Sequence, residues 1–169
     1  MRHIALGIAL AAVSTGAQGQ TSAWNVYEPE TKGDFKPVQA FVQAADGSQL
    51  ILKCDKPGPS ATYAVIVSKT QLSATGNRSF ESRPVTLRFD DGGSISDAWR
   101  FSGVFASAVD NRTQQTMTHF VTKLAAASKF EVRLEPIQAN AVEVTFPVAG
   151  AKEAIAQVYA SCKDKNPIG

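Results

Sequence analysis

Histidine, cysteine and paired carboxylates do most protein chemistry, and in this chain of 169 residues they are sparse. His3 lies in the basic start of the chain, which leaves His119 as the histidine available to a folded domain. It stands beside Phe120 in a stretch with helical periodicity, so a structural or surface place on a helix is the simpler reading than catalysis. No GxSxG elbow accompanies it, and neither GxxxxGK[ST] nor a post-strand GxGxxG is present to cradle a phosphate. Two cysteines fall short of a Cys-based zinc site, which takes three or four ligands close in space. Asp90-Asp91, with Asp97 further on, lacks the alternating ligands and closing Glu of a calcium loop and fits a hairpin turn better. These patterns predict no catalytic residue, no metal and no cofactor.

Cys54 ends an apolar run and Cys162 falls on the apolar face of a C-terminal helical stretch. A Cys54–Cys162 disulfide is the simplest reading in an exported chain, with two buried free thiols as the alternative. A second group of interest is Arg88, Asp90, Trp99 and Arg100. Arg88 and Asp90 share one strand face while Leu87 and Phe89 share the other, and Trp99 and Arg100 follow across a turn. The hairpin is expected to bring the four together as a candidate recognition surface, since Trp and Arg commonly anchor interfaces. The plainer alternative is a cross-strand ion pair above a buried Trp99.

The first residues bear on where the chain acts. Met1-Arg2-His3 is a short basic start, Ile4 to Val13 is apolar or small, and Ser14 to Gln20 is small and polar, the order of a secretory signal. The apolar run is about half the ~20 residues that a membrane-crossing helix needs. Residues 1–19 are therefore expected to be a cleaved signal peptide and 20–169 a single α+β domain, periplasmic or secreted, with no membrane span in the mature chain. The whole chain carries 17 Lys and Arg against 15 Asp and Glu. Basic residues are scattered, so no extended positive field draws the protein to nucleic acid.

Period-2 alternation marks strands in 35–45, 49–54, 62–69, 84–90, 95–104, 130–135 and 142–146, with Asp46-Gly47 and Asp91-Gly92-Gly93 as hairpin turns. The stretch 73–82 is polar enough for an exposed loop. Met117, Phe120, Val121 and Leu124 then recur at helical spacing, and Ala151, Ala154, Ile155, Val158 and Cys162 do so again. The expected fold is α+β: an antiparallel sheet or small sandwich of about seven strands with two helices, the C-terminal helix tied to the sheet by the disulfide. Asn77-Arg78-Ser79 and Asn111-Arg112-Thr113 match a glycosylation sequon by pattern alone, which carries no functional weight.

Trp24, Leu50-Ile51-Leu52-Lys53-Cys54, Val85-Thr86-Leu87-Arg88-Phe89-Asp90, Trp99, Phe130-Glu131-Val132-Arg133, Phe146-Pro147-Val148-Ala149-Gly150, Ala154-Ile155 and Cys162 together form a spaced pattern. It resembles the VasI/TagO-like type VI secretion-associated accessory proteins. The resemblance implies a periplasmic, non-enzymatic accessory role, with an envelope protein or secretion-machine component as partner. An inhibitor or immunity-like protein working through the loop 73–82 is the alternative. A cell-wall hydrolase assembled from residues distant in sequence is a third, which a pocket gathering His119 or paired carboxylates would favour.

Overall fold

The structure, a computed structural model, describes residues 23–30, 35–74, 79–111, 113–137 and 139–169. The segment 1–19 read as a signal peptide, and 75–78 of the expected loop, lie outside the described residues. Alternation sets the first hairpin, β2 (Gln39–Gln43) and β3 (Gln49–Lys53). Ala40, Val42, Leu50 and Leu52 all point to the core and are buried. Gly47 turns the chain at φ +85°, where a side chain would be strained, and the Asp46 carboxylate accepts the backbone N–H and the hydroxyl of Ser48.

The strand β4 (Tyr63–Val67) pairs next, but its other neighbour comes from much later in the chain. β5 (Glu81–Phe89), β6 (Ile95–Ser102) and β7 (Phe105–Val109) form a meander, and β7 returns to lie beside β4. Gly103, at φ +59°, makes the tight turn into β7, and its carbonyl accepts N–H bonds from Leu72 and Ser73. β8 (Lys129–Leu134) then pairs with β5, and β9 (Val142–Pro147) with β8. A three-residue strand, β1 (Asn25–Tyr27), borders β2. The result is one antiparallel sheet in the order β1-β2-β3-β4-β7-β6-β5-β8-β9.

The sheet has nine strands where seven were expected. The expected strand 95–104 breaks at Gly103, and the short, small-residue segment after it makes β7. β1 was missed because three solvent-exposed residues carry no alternation. The loop expected at 73–82 is also shorter: Ser73 is buried and Glu81 already belongs to β5.

α1 (Thr116–Leu124) and α2 (Ala151–Ser161) pack on the inward face, α1 on β6 and β7, α2 on β2 and β3, and they touch each other. Phe120 of α1 meets Trp99 edge-to-face at 5.2 Å and Phe130 at 5.2 Å, and Phe130 stacks on Phe89 at 5.0 Å. These aromatics form the centre of the core. The sheet's two ends curl toward each other: the Trp24 indole N–H donates to the Val148 carbonyl at 3.1 Å, and the Ala23 N–H to that of Ala149 at 3.2 Å. Among the described residues no helix is long and apolar enough to cross a membrane.

Cys54, just beyond β3, and Cys162, at the end of α2, are disulfide-bonded across a sequence separation of 108, with Cα atoms 6.1 Å apart. Both are buried. Around the bridge the Gly58 N–H donates to the Cys162 carbonyl and the Val38 N–H to the Ser161 hydroxyl. The C-terminal helix is thus joined to the sheet by both covalent and polar links.

Candidate functional site

The β5–β6 register places Arg83 opposite Trp99, Ser82 opposite Arg100 and Leu87 opposite Ile95. Arg88 therefore stands about 17 Å along the strand from the level of Trp99, at ~3.4 Å per residue. The four residues expected to cluster do not, because in a hairpin with a tight turn only residues equally far from that turn face each other. Trp99 points inward and is fully buried, as its shared parity with Phe101 requires. Arg100, one residue on, emerges on the opposite face.

Arg88 and Asp90 take other roles. The Arg88 guanidinium pairs with Glu131 on the adjoining β8, whose carboxylate also meets Lys129 Nζ at 3.3 Å. Burial opposes ionisation of Glu131, but hydrogen bonds from Arg88 and Lys129 prevail and hold its carboxyl below the ordinary value of 4.5. Arg133 continues this rank, meeting Glu143 at 2.7 Å and Glu135 at 3.2 Å. Asp90 sits in the turn at φ +49°, and its Oδ1 accepts the N–H groups of Ser128 and Lys129, fastening the α1–β8 link to the hairpin.

Arg100 is the member left facing outward with no carboxylate partner among the described residues. Its guanidinium lies 4.6 Å from the ring centroid of Phe80, a side chain with 57% of its surface exposed. The pair borders a shallow cleft of about 450 Å³ that reaches Tyr63 and Asp55. Tyr63 donates its hydroxyl to Asp55 at 2.8 Å, while Lys53 sits 3.1 Å from the same carboxylate and 5.5 Å from the Tyr63 ring centroid. Burial, with Asp55 nearby, pushes the Tyr63 phenol up against the opposing effect of Lys53.

The same outer face carries an apolar row that alternation should have made polar. Phe41, Ile51 and Val65 are direct cross-strand partners, and the row runs on through Ser107 to Arg100. Val67 and Phe105 form a second pair beside it. Tyr27 meets Phe41 edge-on at 5.8 Å. Beyond Arg100 the outer face changes character, since β5, β8 and β9 present Thr86, Arg88, Glu131, Arg133 and Glu143 there. The helices cover only the inner face; on the outer one Phe41 and Ile51 are half-buried, Val65 is buried at 8% exposed, and Phe105 is exposed. The row's signal in the sequence was the unbroken runs Leu50-Ile51-Leu52 and Val65-Ile66-Val67, which mark strands apolar on both sides.

His119 is exposed and borders a groove of about 330 Å³ with Ser96, Asp97 and Lys123 over a floor of Leu87, Phe89 and Phe120. No hydrogen bond joins His119 to these polar neighbours among the described residues, so they do not form a nucleophile and base pair. Among the same residues no group of three His, Cys, Asp or Glu side chains is placed to hold a metal ion.

A helix-backed, curled antiparallel sheet closed by one disulfide defines a small α+β module with a half-buried apolar row on its outer face. Such a fold is shared with the crystal structure of invasion associated protein B from Bartonella henselae, at 12% identity and a TM-score of 0.52, over 84% of this chain and 95% of that one. A family model described as YfjT matches residues 38–155, well over half of the chain, and the chain belongs to the YfjT family. No curated protein matches it at a significant level.

Proposed function

We propose that the chain is an exported, non-enzymatic accessory protein that recognises an envelope protein through the outer face of β2, β3, β4, β7 and β6. One observation carries this reading: the row Phe41, Ile51, Val65 runs in register toward Arg100, which is stacked on exposed Phe80. An apolar centre bordered by an aromatic and an arginine is the usual composition of a recognition patch. The fitting partner presents apolar side chains with a carboxylate at their edge, which would complement the Arg100 guanidinium. Export is read from the order of residues 1–20, and a disulfide suits an oxidising compartment. A mature end near Gln18 to Trp24, found by mass spectrometry of exported material, is the expected result; an intact Met1 end there would refute export.

The face is tested by site-resolved photo-crosslinking in cells. Crosslinkers at Phe80 and Phe105 should join one and the same envelope protein, while one at Arg133 should not. Crosslinking from Arg133 alone, or a product of two copies of this chain, overturns the reading. A type VI secretion partner is the finer form of the proposal and rests on the VasI/TagO resemblance; identification of the crosslinked protein decides it. An inhibitor of an envelope enzyme is the second reading, favoured by the exposed Phe80 at the end of the loop before β5.

A further inference from the structure

α1 has nine residues and is about 13 Å long, whereas β5, with nine residues as well, extends about 30 Å. The helix therefore covers only part of the inner face of the β5–β6 hairpin. Phe120 reaches Trp99 and Phe89, with ring centroids 5.2 and 6.0 Å away. Nearer the turn the apolar inner face stays open: Ile95, the cross-strand partner of buried Leu87, is 39% exposed, and Phe89 is half-buried. These side chains and Phe120 line the groove of about 330 Å³ beside His119. At ~30 Å³ for each water molecule, the groove has room for roughly ten non-hydrogen atoms.

A carboxylate stands on this same inner face. Asp97 is the partner of Val85 and shares its side of β6 with Ile95 and Trp99. Inward-turned charges often guard a sheet edge, but β6 lies between β7 and β5, so Asp97 has no edge to guard. Its Oδ1 accepts the N–H of Ala98, the next residue, at 2.7 Å, and its Oδ2 meets no protein partner among the described residues. The helix supplies the other wall. His119 and Lys123 are four residues apart, hence on one side of α1, and both are exposed at the groove. No ion pair or hydrogen bond joins Asp97 to either of them among the described residues. The groove thus has an anionic wall on β6, a cationic wall on α1 and an apolar floor between them.

We propose that this groove binds a free amino acid with an aromatic or large apolar side chain. The side chain lies against Phe89, Ile95 and Phe120, the α-ammonium meets Asp97, and the α-carboxylate meets Lys123 and the His119 N–H. An ammonium carries only donors and a carboxylate only acceptors, so each group matches one wall. An apolar cleft with a few placed polar groups is the usual form of a small-molecule site. A ligand with one charge leaves a wall unmatched, and a residue within a peptide brings neither charge. The proposal uses none of the outer-face residues, so it stands or falls separately from that reading.

The test is isothermal titration of the disulfide-bonded protein with L-phenylalanine and three analogues: L-serine lacks the apolar group, N-acetyl-L-phenylalanine the ammonium and phenethylamine the carboxylate. L-Phenylalanine should bind, and each analogue should bind at least ~10-fold more weakly, the usual effect of losing a hydrogen bond to a charged group or a buried apolar side chain. Two variants test the walls. Asp97→Asn keeps an oxygen for the Ala98 N–H, and Lys123→Glu changes an exposed helical position. Each should weaken L-phenylalanine binding at least ~10-fold, with circular dichroism melts establishing that it is folded; should one not fold, the other and the analogues decide. No binding of L-phenylalanine up to about 10 mM, equal binding of any analogue, or unchanged affinity in either folded variant would each overturn the proposal.

Discussion

Trp99 and Arg100 are adjacent in sequence and belong to opposite sides of the molecule, so the same assay separates their roles. Trp99→Ala removes a fully buried aromatic in contact with Phe120 and should cost ~3–5 kcal/mol in chemical denaturation. Its indole N–H lacks a hydrogen-bond partner among the described residues, so Trp99→Phe should cost much less than Trp99→Ala: the lost volume is offset by removal of an unsatisfied donor. Equal losses in the two variants would contradict this account. Arg100→Glu should leave the melting midpoint nearly unchanged, within ~0.5 kcal/mol, while weakening crosslinking at Phe80. Glu131 has a pH signature instead. Its folded pKa lies below the ordinary 4.5, so its contribution is present above that value and lost as pH falls through the folded one. Glu131→Gln should therefore melt lower than wild type at pH 7, and the two should converge as pH falls through the folded pKa; a gap that persists in acid would show that packing, not charge, is involved. Residue types alone disclosed that Cys54 and Cys162 pair, whereas Trp99, expected in the recognition surface, is core, as the plainer alternative had it. They did not disclose that Arg88 would find Glu131, because that partner sits on a strand 43 residues further along.

At the scale of elements, alternation located seven strands and both helical stripes, since burial of one face imposes its period on the side chains. What it missed has a physical pattern. β7, Phe-Ala-Ser-Ala-Val, contains two alanines on its inward side, which is where the helix α1 packs against it and where larger residues would not fit. The helical spacing that Met117 opens becomes α1 from Thr116 and not from further upstream. Asn111 instead builds a side-chain turn, accepting the N–H groups of Thr113 and Gln114 on its Oδ1. Asp110 reaches over that turn to cap the helix from outside it, serving Met117 and Thr118. The residue at the cap position, Gln115, makes no side-chain cap bond, so the local sequence there lacked the usual start signal. Asp110→Ala should consequently destabilise the protein by about 1–2 kcal/mol, a cap's typical worth, although it is five residues before the cap position. Denaturant titration of Asp110→Ala beside Gln115→Ala checks this: the first should lower the midpoint and the second should hardly move it.

The whole molecule depends on contacts that join distant parts of the chain. Sheet order was not readable from the sequence, because nothing local says that β4 will take β7 rather than β5 as its neighbour, or that Trp24 will reach Val148. The disulfide was readable, and its position explains why it matters. It links the end of β3, in the first half of the sheet, to the end of α2, the last element of the chain, so that the pair encloses the meander and α1 between its ends. Closing a loop of 108 residues removes much of the freedom of the unfolded chain, for which the entropy estimate is about 4–5 kcal/mol. Without it α2 keeps the polar links Gly58 to Cys162 and Val38 to Ser161, and buries Ile155 and Val158 as before. A double Cys54→Ala, Cys162→Ala variant should therefore retain the native fold at low temperature and lose stability by several kcal/mol. Its loss should appear as a lower denaturant midpoint, with a slope at least as steep as wild type because the unfolded chain becomes more extended. Wild type measured in reducing buffer should give the same midpoint as the double variant. If the variant unfolded at the wild-type midpoint, the bridge would contribute nothing beyond the packing of α2, and the chain-entropy account would fail.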